Sequence, residues 1–295
     1  MRIIDKIKDF FFKTGIVPPD SPPDSKEFLD EINVIYSRGR ATPPGLDPAT
    51  IDKWVQEIRK FERPCRELIL EAGDPGPHPI TKIGGEPWWP VGEARPHCQD
   101  QGHPMVFMAQ FLLSDIPGME QRTNQLLSFH YCQECMYEGN MSWGWDDEEN
   151  RGYEVKVFDN ISDLKHDKKG ILAEPALDSY KVKFADKQEI PEMDDWTHEL
   201  DKHCPDDYPQ GEDDFDEHVY PGLIHVARSK LGGWPTWVQH PLWPSCSEKQ
   251  RMEFAGQIDW ILGENTSWGG GGYAYLFVCP QSCKITKGEL VILTT

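Results

Sequence analysis

The residues with the clearest chemical potential are cysteines, of which the chain has eight. Cys98 is followed by His103 after four residues, and Cys132 by Cys135 after two. Four soft or borderline donors thus arrive as two close pairs, the arrangement that a tetrahedral zinc site uses. The competing reading is that these are small apolar residues buried at strand ends. A second set, Cys246, Cys279 and Cys283, has no ligand residue at the position that matches His103, which falls near Gln250. Three thiols alone do not close a structural site, and His240 is irregularly spaced for a fourth bond. Zinc is therefore expected at Cys98, His103, Cys132 and Cys135 only, with the second set metal-free.

Other chemistries find less support. Cys132 and Cys135 have redox spacing, but MYEGNMSWGW after them does not read as the helix that would lower a thiol pKa. WGGGGYAY, residues 268–275, lacks the Lys-Ser/Thr of a phosphate loop and reads as a glycine-rich hairpin or bulge, so no nucleotide is expected. There is no GxSxG and no HExxH, and the ten histidines are scattered. Carboxylate tracts such as DDEE (146–149) and EDDFDE (212–217) read as solvated surface.

The cysteines are positioned by a repeated frame. TKIGGEPWWPVGEARPHC, residues 81–98, and SKLGGWPTWVQHPLWPSC, residues 229–246, align without a gap at an offset of 148 residues. They share Lys82/Lys230, Gly84/Gly232, Gly85/Gly233, Pro87/Pro235, Trp89/Trp237, Pro96/Pro244 and Cys98/Cys246. Composition alone would give roughly one identity. After a one-residue contraction the echo continues through Met105/Met252, Phe107/Phe254 and Gln110/Gln257. Twenty-two residues on, Cys132 and Cys279 each close a strand-like run, LLSFHYC and YAYLFVC. An internal duplication follows. Gln110 and Gln257 lie in apolar runs, where an amide either satisfies loop backbone or faces a peptide in a groove.

Around this frame the chain divides at 1–75, 76–140, 141–228 and 229–295. The first section reads as a helical extension. Ile3, Ile7, Phe10 and Phe11 have helical spacing, as do Phe28, Ile32 and Ile35. A further helix opens with Asp47 as N-cap and Pro48 at its first position. The second and fourth sections are the repeats. Between them, GYEVKVF and SYKVKF alternate like strands, before a run from Glu189 to Glu217 with 13 acidic residues against Lys202 alone. The fold class is α+β: two related β-rich lobes with an N-terminal helical extension.

Thirty basic and 50 acidic residues give a net charge of −20, which disfavours nucleic acid and favours basic partners. No stretch approaches the ~18 apolar residues of a membrane span, and the charged N-terminal segment lacks a secretory core, so a cytoplasmic location with reduced thiols is expected.

The order GG-x-P-x-W, P-x-C, M-x-F-x-x-Q and a strand closing in paired cysteines, present twice, resembles the YwqG-like family. It also looks like a more distant relative of the programmed-cell-death-protein-2 family. The resemblance implies two related β-rich halves and no established enzymatic activity. It also implies roles in escorting a basic ribosomal protein or in toxin immunity. The expectation is a non-enzymatic module that captures a polypeptide, basic in character, between its lobes. Trp89, Trp237, Trp268, Gln110 and Gln257 would line its groove, and Glu212, Asp213 and Asp214 would supply charge. The alternative is an enzyme with a Cys/His/Trp-lined site between the lobes.

Overall fold

The computed structural model describes residues 48–76, 78–99, 102–137, 152–166, 177–191, 229–259, 272–284 and 287–294. The two helices expected within 2–39 lie outside them. The third is present as α1, Pro48–Arg59, with Pro48 at its first position and Val55 and Ile58 buried. Among the described residues no helix is long and apolar enough to cross a membrane.

The chain separates into two compact units. One comprises Met1–Glu62, Glu189–Ala227 and Thr236–Pro241, and contains α1. The other comprises Arg63–Gln188, Arg228–Pro235 and Leu242–Thr295, and carries the strands and the cysteine clusters of both repeats. The helical extension stops short of residue 75, because Arg63–Ala72 is a strand, β1. Leu68 and Leu70 on β1 pack into the core, so tertiary burial takes this segment into the sheet.

The remaining strands are β2 (Lys82–Ile83), β3 (Trp88–Pro90), β4 (Val106–Leu112), β5 (Leu126–Tyr131), β6 (Tyr153–Phe158), β7 (Leu164–His166), β8 (Tyr180–Glu189), β9 (Lys230–Gly232), β10 (Glu253–Asp259), β11 (Gly272–Val278) and β12 (Gly288–Thr294). Ten form one sheet in the order β12-β11-β10-β9-β1-β8-β2-β4-β5-β6, and β3 pairs with β7 as a separate ribbon. The sequence duplication is visible in that order. Repeat one supplies β2-β4-β5 with β6 beyond them, repeat two supplies β9-β10-β11 with β12 beyond them, and β1 and β8 lie side by side between. The edge strands β6 and β12 touch, since Tyr153 Oη donates to Glu289 Oε1 at 2.7 Å.

The paired motifs have paired structural causes. Lys82 lies opposite Gln110 and Lys230 opposite Gln257. Each Gln-bearing strand then bulges at the same place, between Phe107 and Ala109 and between Phe254 and Gly256. Gly84 and Gly232 adopt φ of 61° and 67°, a region that L side chains seldom enter. A Cβ on Gly84 would fall well inside contact distance of the Asp178 carbonyl.

One core joins the repeats. Ile83, Met108, Phe111, Leu127, Phe129 and Tyr131 from one pack in the same cluster as Leu231, Ala255, Ile258, Leu276 and Val278 from the other. Across the seam, Arg122, 4% exposed, donates from Nη1 to the Cys279 carbonyl at 3.2 Å and faces Glu253 at 3.7 Å.

Candidate metal centres

Each repeat builds the same hairpin ahead of its strands. In repeat one, His97 bridges Pro104, Cys98 N–H donates to His103 O at 2.8 Å, and Met105 N–H donates to Pro96 O at 2.9 Å. In repeat two, Ser245 bridges Arg251, Cys246 N–H donates to Gln250 O at 2.8 Å, and Met252 N–H donates to Pro244 O at 2.9 Å. The second turn is one residue shorter, and Lys249 takes the positive φ (58°) that Gly102 (69°) supplies in the first. The hairpin holds the first cysteine. The ends of β5 and β11 deliver the others.

Three sulfurs converge in each case. Cys98, Cys132 and Cys135 lie within 4.8 Å of one another, as do Cys246, Cys279 and Cys283. The closest pairs are Cys98 Sγ to Cys135 Sγ and Cys246 Sγ to Cys283 Sγ, both at 3.4 Å. Sulfurs bound at ~2.3 Å to one tetrahedral ion would lie about 3.8 Å apart. Both clusters therefore need only a small rearrangement to coordinate a metal such as zinc. All the thiols are buried except Cys283, which is partly exposed.

Two expectations change here. His103 is not a member of the first cluster: its ring, 42% exposed, turns toward Glu134, with Nδ1 2.9 Å from Oε2. Its part in the turn is through the backbone, whose carbonyl accepts from Cys98 N–H. The second set, expected to be metal-free for want of a fourth ligand, gathers its three thiols as closely as the first. Among the described residues neither cluster has a fourth Cys, His or carboxylate donor in the group. Cys98, Cys132 and Cys135 would hold an ion in repeat one, and Cys246, Cys279 and Cys283 one in repeat two, each on three thiolates.

Electrostatics separate the thiols within each set. Burial raises Cys132, although a backbone hydrogen bond from Cys135 acts the other way. Cys135 is raised further, by burial and by the neighbouring Cys98 and Cys132 sulfurs. In repeat two burial raises Cys279, and burial with the adjacent Cys246 pushes Cys283 up to about 12. Cys246 is held below the usual thiol value. Burial would raise it, but backbone hydrogen bonds at Gln250 and Glu248 together with the Cys283 thiol outweigh that effect. A cation that displaces protons would relieve the crowding of sulfurs in both sets. A short helix, α2 (Gln133–Tyr137), does follow Cys132, where none was expected. Cys132, just before it, and Cys135, within it, are both raised and not lowered, the opposite of an activated redox pair.

The other residues singled out from the sequence occupy different surroundings. Trp89 and Trp237 are buried, at 2% and 5% exposure. Gln110 is fully buried; its Oε1 accepts from Trp88 N–H at 2.9 Å and its Nε2 donates to Ile80 O at 2.7 Å, so it fastens the segment after the glycine turn. Gln257 is buried at the matching register. Trp268, Glu212, Asp213 and Asp214 lie outside the described residues.

Fold and site together define a class: an internally duplicated, β-rich protein with a trithiol cluster in each half. The chain belongs to the family of the domain of unknown function DUF1963, whose model matches residues 81–287 and so spans both clusters. This agrees with the YwqG-like resemblance, whereas the more distant likeness to the programmed-cell-death-protein-2 family receives no support from the match. No curated protein is similar enough to count as a relative.

Proposed function

We propose that this chain is a soft-metal-binding protein in which each repeat holds one zinc-class ion on three thiolates, with the fourth position open to an exogenous ligand. The observation that carries this reading is the convergence of three sulfurs within 4.8 Å in both repeats. Thiolates select zinc and other soft cations over magnesium or calcium. Burial of the sulfurs excludes competing water, and the open position is where a ligand, substrate or donor side chain of a partner would bind.

Capture of a basic polypeptide is the secondary reading. It rests on the acidic run between Glu189 and Glu217, most of which lies outside the described residues. The burial of Trp89 and Trp237 gives a groove lined by those side chains no support. Lysine replacements across 212–217 that left partner binding and its salt dependence unchanged would remove that reading.

Cobalt(II) titration of the reduced, metal-depleted chain tests the leading one. The expected result is intense sulfur-to-cobalt charge-transfer absorption that saturates at two equivalents and is displaced by zinc. Saturation without any charge-transfer band would show that the thiols are not ligands and would overturn the proposal.

A further inference from the structure

The outer side of β4, β5 and β6 differs between the repeats in a way that metal binding does not explain. In repeat one, Lys82, Gln110, Ser128 and Lys156 lie opposite one another across β2, β4, β5 and β6, and Phe107, His130 and Glu154 form the next rung. The matching rungs of repeat two are Lys230, Gln257, Tyr275 and Val291, and Phe254, Phe277 and Glu289. Ser128, His130 and Lys156 thus stand where the second repeat has Tyr275, Phe277 and Val291. Repeat two fills the space with aromatic contact: Trp243 meets Phe277 edge-on at 5.6 Å and Phe254 meets it at 5.7 Å.

Repeat one leaves polar atoms without partners in the same place. Both ring nitrogens of His130, Ser128 Oγ and Trp89 Nε1 are buried and have no hydrogen-bond partner among the described residues. His130 is 1% exposed, and its ring lies 5.2 Å from that of Trp89 and 5.3 Å from that of Phe107. A buried polar atom left without a hydrogen bond is costly, so such groups seldom go unsatisfied. An apolar set was available to the same backbone, as repeat two shows. A bound molecule that pairs with these atoms accounts for the choice.

The chemistry of the surroundings indicates which molecule. Arg95 and Lys156 lie against the Trp89 ring, at 5.4 and 5.1 Å from its centroid, and both are only partly buried. Glu86 faces Arg95 at 4.0 Å, Glu93 pairs with Lys156, and Asp74 and Glu86 act on Lys82. The nearby acceptors Gln110 Oε1 and Glu86 O already receive Trp88 N–H and Lys82 Nζ. Cationic side chains thus surround the site, while Trp89 Nε1, Ser128 Oγ and the His130 ring are its buried polar groups without a partner among the described residues.

We infer that repeat one binds a small oxyanion, a carboxylate or phosphate group, beside Trp89. The indole N–H, the His130 imidazole and the Ser128 hydroxyl donate to it, and Arg95 and Lys156 balance its charge. The test uses the full chain labelled with 15N-histidine, titrated at constant ionic strength with acetate and separately with inorganic phosphate. The expected result is a saturable shift of one imidazole set, assigned by its absence in His130→Phe, with one of the two anions and so identifying the group. Arg95→Met and Lys156→Met should each weaken that binding about tenfold. They also carry the test if His130→Phe does not fold. An unshifted His130 signal with both anions would mean that only water fills the site, and would overturn the inference. So would unchanged affinity in both cation variants.

Discussion

The two repeats are alike where the backbone sets the requirement and unlike where side chains meet on the outer face. Both keep a glycine at positive φ, a lysine opposite a glutamine, a bulge just before that glutamine, and three converging thiols. On the outer face one repeat presents Ser128, His130 and Lys156 and the other Tyr275, Phe277 and Val291. The lesson is that the sheet and the sulfur clusters form a common scaffold, on which repeat one has acquired buried polar groups that the scaffold itself does not need. Residues that a fold requires recur in both copies; a residue present in one copy alone is the better guide to a specialised site.

The comparison can be broken most severely at the glycine turns. Gly84→Ala places a side chain at positive φ against the Asp178 backbone and should cost about 3 kcal/mol or more. In Gly232→Ala the new Cβ meets the Pro117 ring at 2.9 Å, a softer obstacle, and should cost about 1–2 kcal/mol. Urea denaturation of both variants would measure the difference, and equal losses would show that the turns are not differently confined.

Next in size is the link across the seam. Arg122→Met removes the hydrogen bond to Cys279 O and the partner of Glu253, and is expected to cost about 2 kcal/mol. It should also loosen the second cluster more than the first, read as faster modification of Cys279 and Cys283 than of Cys132 and Cys135 by a thiol reagent.

The polar face of repeat one makes a pH prediction that repeat two does not share. Burial, with the nearby Arg95, lowers the His130 pKa to about 3 from its ordinary 6.5. Between those values the unfolded chain takes up a proton that the folded chain does not, so stability falls as pH falls from 6.5 toward 3. The contribution is at most about 1.4 kcal/mol per pH unit. His130→Phe should remove that part of the slope, measured as the difference between the two chains' unfolding free energies at matched pH. Smallest is the exposed Lys183–Glu71 pair between β8 and β1, where Lys183→Ala should change stability by no more than about 0.5 kcal/mol.

Much of this comparison was legible in the sequence because duplication doubles every architectural signal. The GG pairs, the recurring lysines and glutamines and the strands ending at Cys132 and Cys279 could be placed from their recurrence, whereas the pairing of each lysine with its glutamine is set by the sheet. The membership of the clusters was less accessible. His103 has a suitable ligand spacing, yet its direction depends on how a turn closes at Cys98, which spacing does not encode. The second cluster has three thiols, one short of a closed site when read by spacing, although chain geometry brings them together irrespective of ligand count. β1 was hidden because RPCRELILEA carries charges throughout, and its place between β9 and β8 is set by long-range pairing. His130 could have been found by comparing LLSFHYC with YAYLFVC, where a histidine stands in line with a phenylalanine.

The most direct test of the central claim is native mass spectrometry of the zinc-loaded chain beside Cys98→Ser, Cys246→Ser and the double variant. The account predicts two, one, one and no bound ions respectively, because each repeat closes its own site. A chain that binds a single ion, or that keeps two after either substitution, would contradict it.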